Sequence, residues 1–269
     1  MTESTGNVAN LEWSVFDTGV TPDRRLEATA TPQVGQDLSI NKRTLAPVRM
    51  TSYVPVSTRA LIQATPSMEM IIRNNLALST VQQIDKWIID GSSTAGAAEV
   101  VRGVLKSTAP AITAVVGSGS PTANDGYDAD WAWFTKVFQQ VASSNALMGT
   151  PRFLLGPMLF SKLMRTEVTS GTSGEFIVDR MTRQLGGFPA MLSTNVPENS
   201  TKGTNNALSY AVFGDLSQIL LAEWGAPNLM TNNSREIEQG YITIGIERHL
   251  NVGFMQDKAI VKSEQLANT

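Results

Sequence analysis

The chain has no cysteine and a single histidine in 269 residues. The first absence removes disulfides, thiolate nucleophiles and every cysteine-based zinc or iron–sulfur site. The second removes histidine-rich metal centres. Charge is scarce as well: Asp, Glu, Lys and Arg make up 17% of the residues, against about 25% in an average soluble domain. With a net charge of −3, the basic face of an electrostatic nucleic-acid binder is missing. No apolar run approaches the ~20 residues of a membrane-spanning helix. The polar first twenty residues also lack the basic start and apolar stretch of a signal peptide, which implies a chain made in the cytosol and kept out of the membrane.

Apolar residues, by contrast, reach 42%. That is enough burial to offset the entropy of folding, so bulk disorder is excluded. With so little charge, much of the surface is not built to be solvated alone.

Residues 1–32 show no sustained period. Leu11, Trp13 and Val15 alternate, which suits an extended arm. An arm cannot bury Trp13 and Phe16 against itself, so their anchor is the body or a neighbouring subunit. Over 35–60, Leu38 and Ile40, then Val48, Met50, Val54 and Val56, alternate with polar residues around Asn41-Lys42-Arg43-Thr44. Two such runs about a polar tip predict a hairpin, Pro47 and Pro55 favour an edge over a central position, and an ordinary sheet edge is the alternative the pattern leaves open.

Ser67 then reads as an N-cap. Met68, Ile71, Ile72, Leu76, Val81, Ile84 and Ile88 recur at helical steps as far as Asp90-Gly91, with Leu78, Trp87 and Ile89 off the stripe. The spacing predicts a helix of about 23 residues, roughly 35 Å long. A short helix is expected near 97–105 and an amphipathic one from Asp128 or Asp130 to 145. Phe153-Leu154-Leu155 reads as a buried strand, and Gly156-Pro157 opens a helix to about 165. Residues 169–175 read as a linker. Strand-like runs follow at 188–196, 210–213, 219–224, 242–254 and 259–261. Few helices and many strands that do not alternate with them make the fold class α+β.

No residue pattern in the chain matches an active site. A Ser-His-Asp triad would need His249, and no Gly-x-Ser-x-Gly elbow presents a nucleophile. No phosphate loop or dinucleotide fingerprint occurs. Asn124-Asp125-Gly126-Tyr127-Asp128-Ala129-Asp130 lacks the closing glutamate of a calcium loop, and a turn with a helix cap accounts for it. No catalytic, cofactor-binding or metal residue is expected. The basic pairs Arg24-Arg25 and Lys42-Arg43 are too few for a nucleic-acid groove and better suited to acidic patches on another subunit. An arm, a hairpin, a long helix and a low-charge surface describe a protein whose work is to assemble.

The order of these elements resembles the major capsid proteins of tailed bacteriophages with the HK97-like fold. Four stretches carry the resemblance. The hairpin over 36–58 is similar to the family's E-loop. The helix ending Trp87-Ile88-Ile89-Asp90-Gly91 is similar to its spine helix. Phe153-Leu154-Leu155-Gly156-Pro157 resembles a strand–Asn-Pro–helix step, with Gly156 in place of the usual Asn. Leu185-Gly186-Gly187-Phe188-Pro189, Ser193-Thr194-Asn195-Val196-Pro197, Phe213-Gly214-Asp215-Leu216-Ser217-Gln218 and Glu223-Trp224-Gly225 resemble a block found in many phage capsid proteins.

The resemblance implies an N-terminal arm (1–34), an E-loop hairpin (35–64), and a P-domain (65–152) built on a spine helix over 67–90. It further implies an A-domain (153–235) and a return to the P-domain sheet (236–269). The loop nearest the five- and six-fold axes would be 197–208 or 228–235. It implies pentamers and hexamers of this chain in an icosahedral shell. That shell would enclose double-stranded DNA without sequence-specific contacts, form in the host cytoplasm and become the virion capsid. Scaffold, portal and decoration proteins would be the other partners.

The namesake phage joins an E-loop lysine to an asparagine with a glutamate as promoter. Lys42 and Glu247 match two of these roles, but Gly240 stands where the asparagine would be, so the resemblance does not extend to crosslinking. Lys42 and Arg43 are then expected in inter-subunit salt bridges, with Trp13, Phe16 and Glu247 as further inter-subunit residues. An encapsulin-type compartment is the alternative within this fold, and a hydrolase using His249 is the alternative outside it.

Overall fold

The computed structural model describes residues 10–18, 39–63, 68–91, 101–107, 113–115, 126–147, 149–169, 174–179, 181–202, 205–232 and 240–268. In chain order the first elements are β1 (Leu11–Thr18), β2 (Ser39–Leu45), β3 (Val48–Ser57), α1 (Thr58–Gln63), α2 (Met68–Ile89) and β4 (Thr113–Val115). Then come α3 (Trp131–Ser143), β5 (Arg152–Leu155), α4 (Pro157–Leu163), β6 (Val178–Asp179), β7 (Gln184–Leu185) and β8 (Phe188–Leu192). The last are β9 (Ser200–Lys202), β10 (Asn205–Gly214), β11 (Ile219–Glu223), β12 (Asn228–Asn232), β13 (Tyr241–Phe254) and β14 (Ile260–Ala267).

Successive side chains of a strand point to opposite faces, so a strand covered on both faces is apolar without alternation. That is why Phe153-Leu154-Leu155 and Ala211-Val212-Phe213 are continuous runs. Phe153, Leu155, Ala211, Phe213 and Val261 enter one core, beneath α3 and α4. Leu154, Val212 and Ile260 enter a second core on the opposite face, with Ile89, Val104, Val252 and Phe254. These strands centre an eight-stranded sheet of order β4-β14-β10-β5-β8-β7-β6, with β9 paired to β10. The β5–β8 and β4–β14 pairs are parallel. Asp130 caps α3 by accepting from the Trp133 backbone N–H at 2.8 Å, and Pro157 opens α4.

A second sheet is built around the fourteen-residue β13. Strand β3 pairs along one side of it, and β11 and β12 pair in succession along the other. Met50 and Leu250 of this sheet pack with Ile84 of α2, with Trp87 and Ile88 against them. Gly91 and Gly103 bring the end of α2 and the segment 101–107 within backbone contact. A Cβ on Gly103 would lie 2.5 Å from Gly91 N and 2.6 Å from the Trp87 carbonyl oxygen. That approach lets Val104 N and Leu105 N donate to the Ile88 and Ile89 carbonyls, each at 2.9 Å.

Several expectations need correction. The residues read as a hairpin tip, Asn41 to Thr44, lie inside β2. The partner of β2 is β1, not β3: Trp13 stands opposite Arg43 and Ser14 opposite Lys42. The packed track of α2 comprises Leu76, Thr80, Ile84 and Ile89, whereas Ile71 and Val81 are more than half exposed. Residues 101–105 form an irregular segment and turn, not part of a helix. The spatial division also departs from the linear one. Helix α3 and strand β14 belong with the larger sheet, while β11 and β12, from within 153–235, pair with β13 beside α2. The Ser67 cap and residues 170–173 of the expected linker lie outside the described residues.

Candidate assembly interface

Among the described residues the ribbon β1–β2 forms no strand pairing with either large sheet, and its base is held by side-chain contacts. Leu45 and the Trp13 indole close over Gly253 of β13. A Cβ there would overlap Leu45 and lie 2.9 Å from Trp13 Cη2. Glycine inside a strand marks such a close approach. Arg43 Nη1 donates to Asp257 Oδ1 at 2.5 Å and to the Phe254 carbonyl at 3.2 Å, and Nη2 donates to Asp257 Oδ2. Asn251 Nδ2 donates to the Ala46 carbonyl at 2.6 Å where the ribbon leads into β3.

These contacts differ in weight. The Asp257 side chain is only 1% exposed, and removing one partner of a buried bidentate pair costs about 3–5 kcal/mol because the other charge stays behind unpaired. The Lys42–Glu12 pair, at 2.5 Å, has both side chains about half exposed or more and contributes about 0–1 kcal/mol. Trp13 Nε1 is buried and has no hydrogen-bond partner among the described residues.

On the surface, α2 carries a second apolar stripe. Met70, Ile71, Leu78 and Val81 are each more than half exposed, and helical spacing turns them away from Leu76, Thr80 and Ile84, whereas Ile88 and Ile89 continue their side of the helix into packed positions. Ile62, Tyr53, Leu229, Met230 and Tyr241 add exposed apolar surface around the same sheet. The largest exposed patch on a typical monomer marks an interaction site. These residues lie on the sheet-and-helix layer; Met158 of α4, Met181, and Met191 and Leu192 of β8 are exposed beside the larger sheet as well. Among the described residues, no helix is long and apolar enough to cross a membrane.

The profile of the phage capsid family matches residues 1–264. The chain belongs to that family. Its architecture agrees with solved capsids. The capsid of a native GTA particle is 14% identical with a TM-score of 0.67, over 97% of this chain and 87% of that one. The capsid of Myoviridae phage XM1 is 12% identical with a TM-score of 0.67, over 97% and 88%. A structure titled Gordonia phage Cozz is 15% identical with a TM-score of 0.64, over 96% and 81%. No protein of curated function matches the sequence. The α+β fold is thus of the HK97-like capsid type, and the family's role is structural.

Against this background the expected inter-subunit residues can be placed one by one. Arg43, assigned to a neighbour's acid, is engaged by Asp257 of its own chain, because β2 runs beside the end of β13. Lys42 pairs with Glu12 across the ribbon. Trp13 is half-buried on its own body, and Phe16 lies in β1 opposite Ile40. Glu247, in β13 opposite Thr51, forms an ion pair with Arg49 and lies 3.9 Å from His249 Nε2. Sequence reasoning missed Asp257, Gly253 and Asn251. Gly253 had a signal, a glycine inside the alternating run Leu250 to Phe254. Asp257, in a short polar connection, had none.

Proposed function

We propose that this chain is the major subunit of an icosahedral phage head, closing as pentamers and hexamers into a shell around double-stranded DNA. The observation that carries the reading is family membership over residues 1–264, joined to a surface that leaves a ribbon and one side of a long helix without cover. Rings of one chain close head-to-tail, one patch of each copy meeting a different patch of the next, and large assembly interfaces resemble a bisected core.

In this reading the sheet of β3 and β11–β13 with α2 is the P-domain and spine helix, and the eight-stranded sheet is the A-domain. The stem of the E-loop is β1 (11–18) with β2 (39–45), in place of the 35–64 span expected from pattern. The outer stripe of α2 is covered by a second copy of the chain. Scaffold, portal and decoration proteins complete the assembly, which forms in the host cytoplasm.

Electron microscopy of the purified chain tests this directly. Closed, uniform particles are expected, with dense nucleic acid inside those recovered from an infection. A compact monomer at high concentration would overturn the reading, and particles filled with enzyme cargo would favour the encapsulin alternative. A ladder of covalent oligomers on a denaturing gel would show that crosslinking proceeds despite Gly240.

A further inference from the structure

Four contacts that tie the ribbon to the body land on one short stretch. Asn251 Nδ2 holds the Ala46 carbonyl, Gly253 receives Leu45 and Trp13, the Phe254 carbonyl accepts from Arg43, and Asp257 takes the Arg43 guanidinium. That stretch is the elbow between the two sheets. Strand β13 ends at Phe254, a 3-10 turn spans Asp257–Ala259, and β14 starts at Ile260. The elbow is itself pinned: Asp215 N donates to the Ala259 carbonyl at 3.1 Å, and Met255 N to the Gln218 carbonyl at 2.9 Å. Beside it lies a cavity of about 520 Å³ lined by residues that include Trp13, Arg43, Leu45, Arg102 and Phe254.

We propose that the ribbon is a lever latched at this elbow, with the Arg43–Asp257 clamp and the Gly253 seat setting its pitch relative to both sheets. A two-stranded ribbon has little stability alone, so its orientation follows whatever its base grips. Here the base grips the last residues of β13, Asn251 to Phe254, and Asp257 in the turn that leads from that strand to β14 in the other sheet. Hinges are a few element-terminal residues of this kind. Among the described residues the buried Trp13 N–H has no hydrogen-bond partner, and the adjoining cavity gives the ribbon room to pivot. This inference does not depend on shell formation and is tested on the free chain.

Because the chain contains no cysteine, spin labels can be placed singly or in pairs at Ser14→Cys on β1, Gln82→Cys on α2 and Gln139→Cys on α3, all exposed positions. In the parent chain all three pairwise distance distributions are expected to be narrow. The double substitution Arg43→Gln, Asp257→Asn removes the clamp without stranding a buried charge. It should broaden both distances from position 14 about two-fold while leaving 82–139 unchanged. Gly253→Ala, which intrudes on Leu45 and Trp13, should shift the centre of the same two distances. Ribbon distances that stay narrow and unshifted in both variants would overturn the latch. So would equal broadening of all three, which would make the clamp a general support of the fold.

Discussion

Trp133 Nε1 donates to Ser263 Oγ at 2.9 Å, joining α3 to β14 through the middle of the larger core. Both residues are almost fully buried, and the indole ring also lies 6.2 Å, centroid to centroid, from Phe153. Ser263→Ala removes the acceptor and leaves a buried N–H unsatisfied, which costs about 1–3 kcal/mol. Urea unfolding should show a lower midpoint at unchanged slope. Trp133→Phe in the Ser263→Ala background should cost less than the same change in the parent, since the orphaned donor leaves with the indole.

Gly103→Ala addresses the contact that fastens the end of α2. The added methyl meets Gly91 N, Trp87 O and Ile89 O at 2.5–2.8 Å, and all three are backbone atoms that no rotamer change can move aside. Overpacking of this type costs about 1–3 kcal/mol, and loss of the Val104 and Leu105 hydrogen bonds adds to it. The soluble fraction on expression should fall. Thermal unfolding of what remains should occur at lower temperature than in a control with alanine at the exposed position Gln82.

The legible parts of this fold were those where pattern maps directly onto burial. Phe153-Leu154-Leu155 is apolar throughout because both faces of β5 are covered. The ends of α2 were marked by Ser67 before it and Asp90-Gly91 after it, and Pro157 marked the start of α4. Pairing was not legible. Alternation says which residues share a face, not which strand lies alongside. The polar cluster Asn41 to Thr44 therefore passed for a turn, although it is the second strand of a ribbon whose first strand lies more than twenty residues upstream. Deleting 41–46 would accordingly remove β2 itself and not a loop tip. The acid that holds Arg43 was out of reach because Met255-Gln256-Asp257-Lys258 carries no period that would single out Asp257. The division into two sheets was obscured because β13 and β14 are consecutive in sequence yet serve different layers.

Asp215 gives the fold a dependence on acid pH. Burial works against its charged form. The Ser217 hydroxyl and backbone N–H, the Gln218 amide and the nearby Arg152 charge outweigh that, holding the carboxyl below its ordinary value of 3.8. A carboxylate whose folded value is depressed stabilises the native state above the unfolded value, and that contribution is lost as pH falls through the folded value. Asp215 also caps the 3-10 turn Leu216–Gln218. Asp215→Ala should therefore cost about 0.5–2 kcal/mol at neutral pH, the usual loss for a cap. The gap to the parent should narrow from about pH 4 downward, read from denaturation midpoints over a pH series. A gap that stays constant to pH 2 would mean that ionisation of this carboxyl plays no part.

Leu78 separates folding from assembly. It is 66% exposed on α2, away from the track of Leu76, Thr80 and Ile84 that meets the sheet. A change at an exposed helical position alters subunit stability by only about 0.5 kcal/mol. The same position in the core of a subunit contact would bury a charge without a partner, at a cost of several kcal/mol. Leu78→Glu should thus leave the thermal unfolding of the isolated subunit nearly unchanged while sharply reducing the particles that sediment as closed shells. Leu78→Met, similar in volume and apolar, should restore them. Normal particle yield from Leu78→Glu would place this stripe of the helix against solvent in the shell, and the cover for the low-charge surface would then have to lie on the β12–β13 side, where Leu229, Met230 and Tyr241 are exposed.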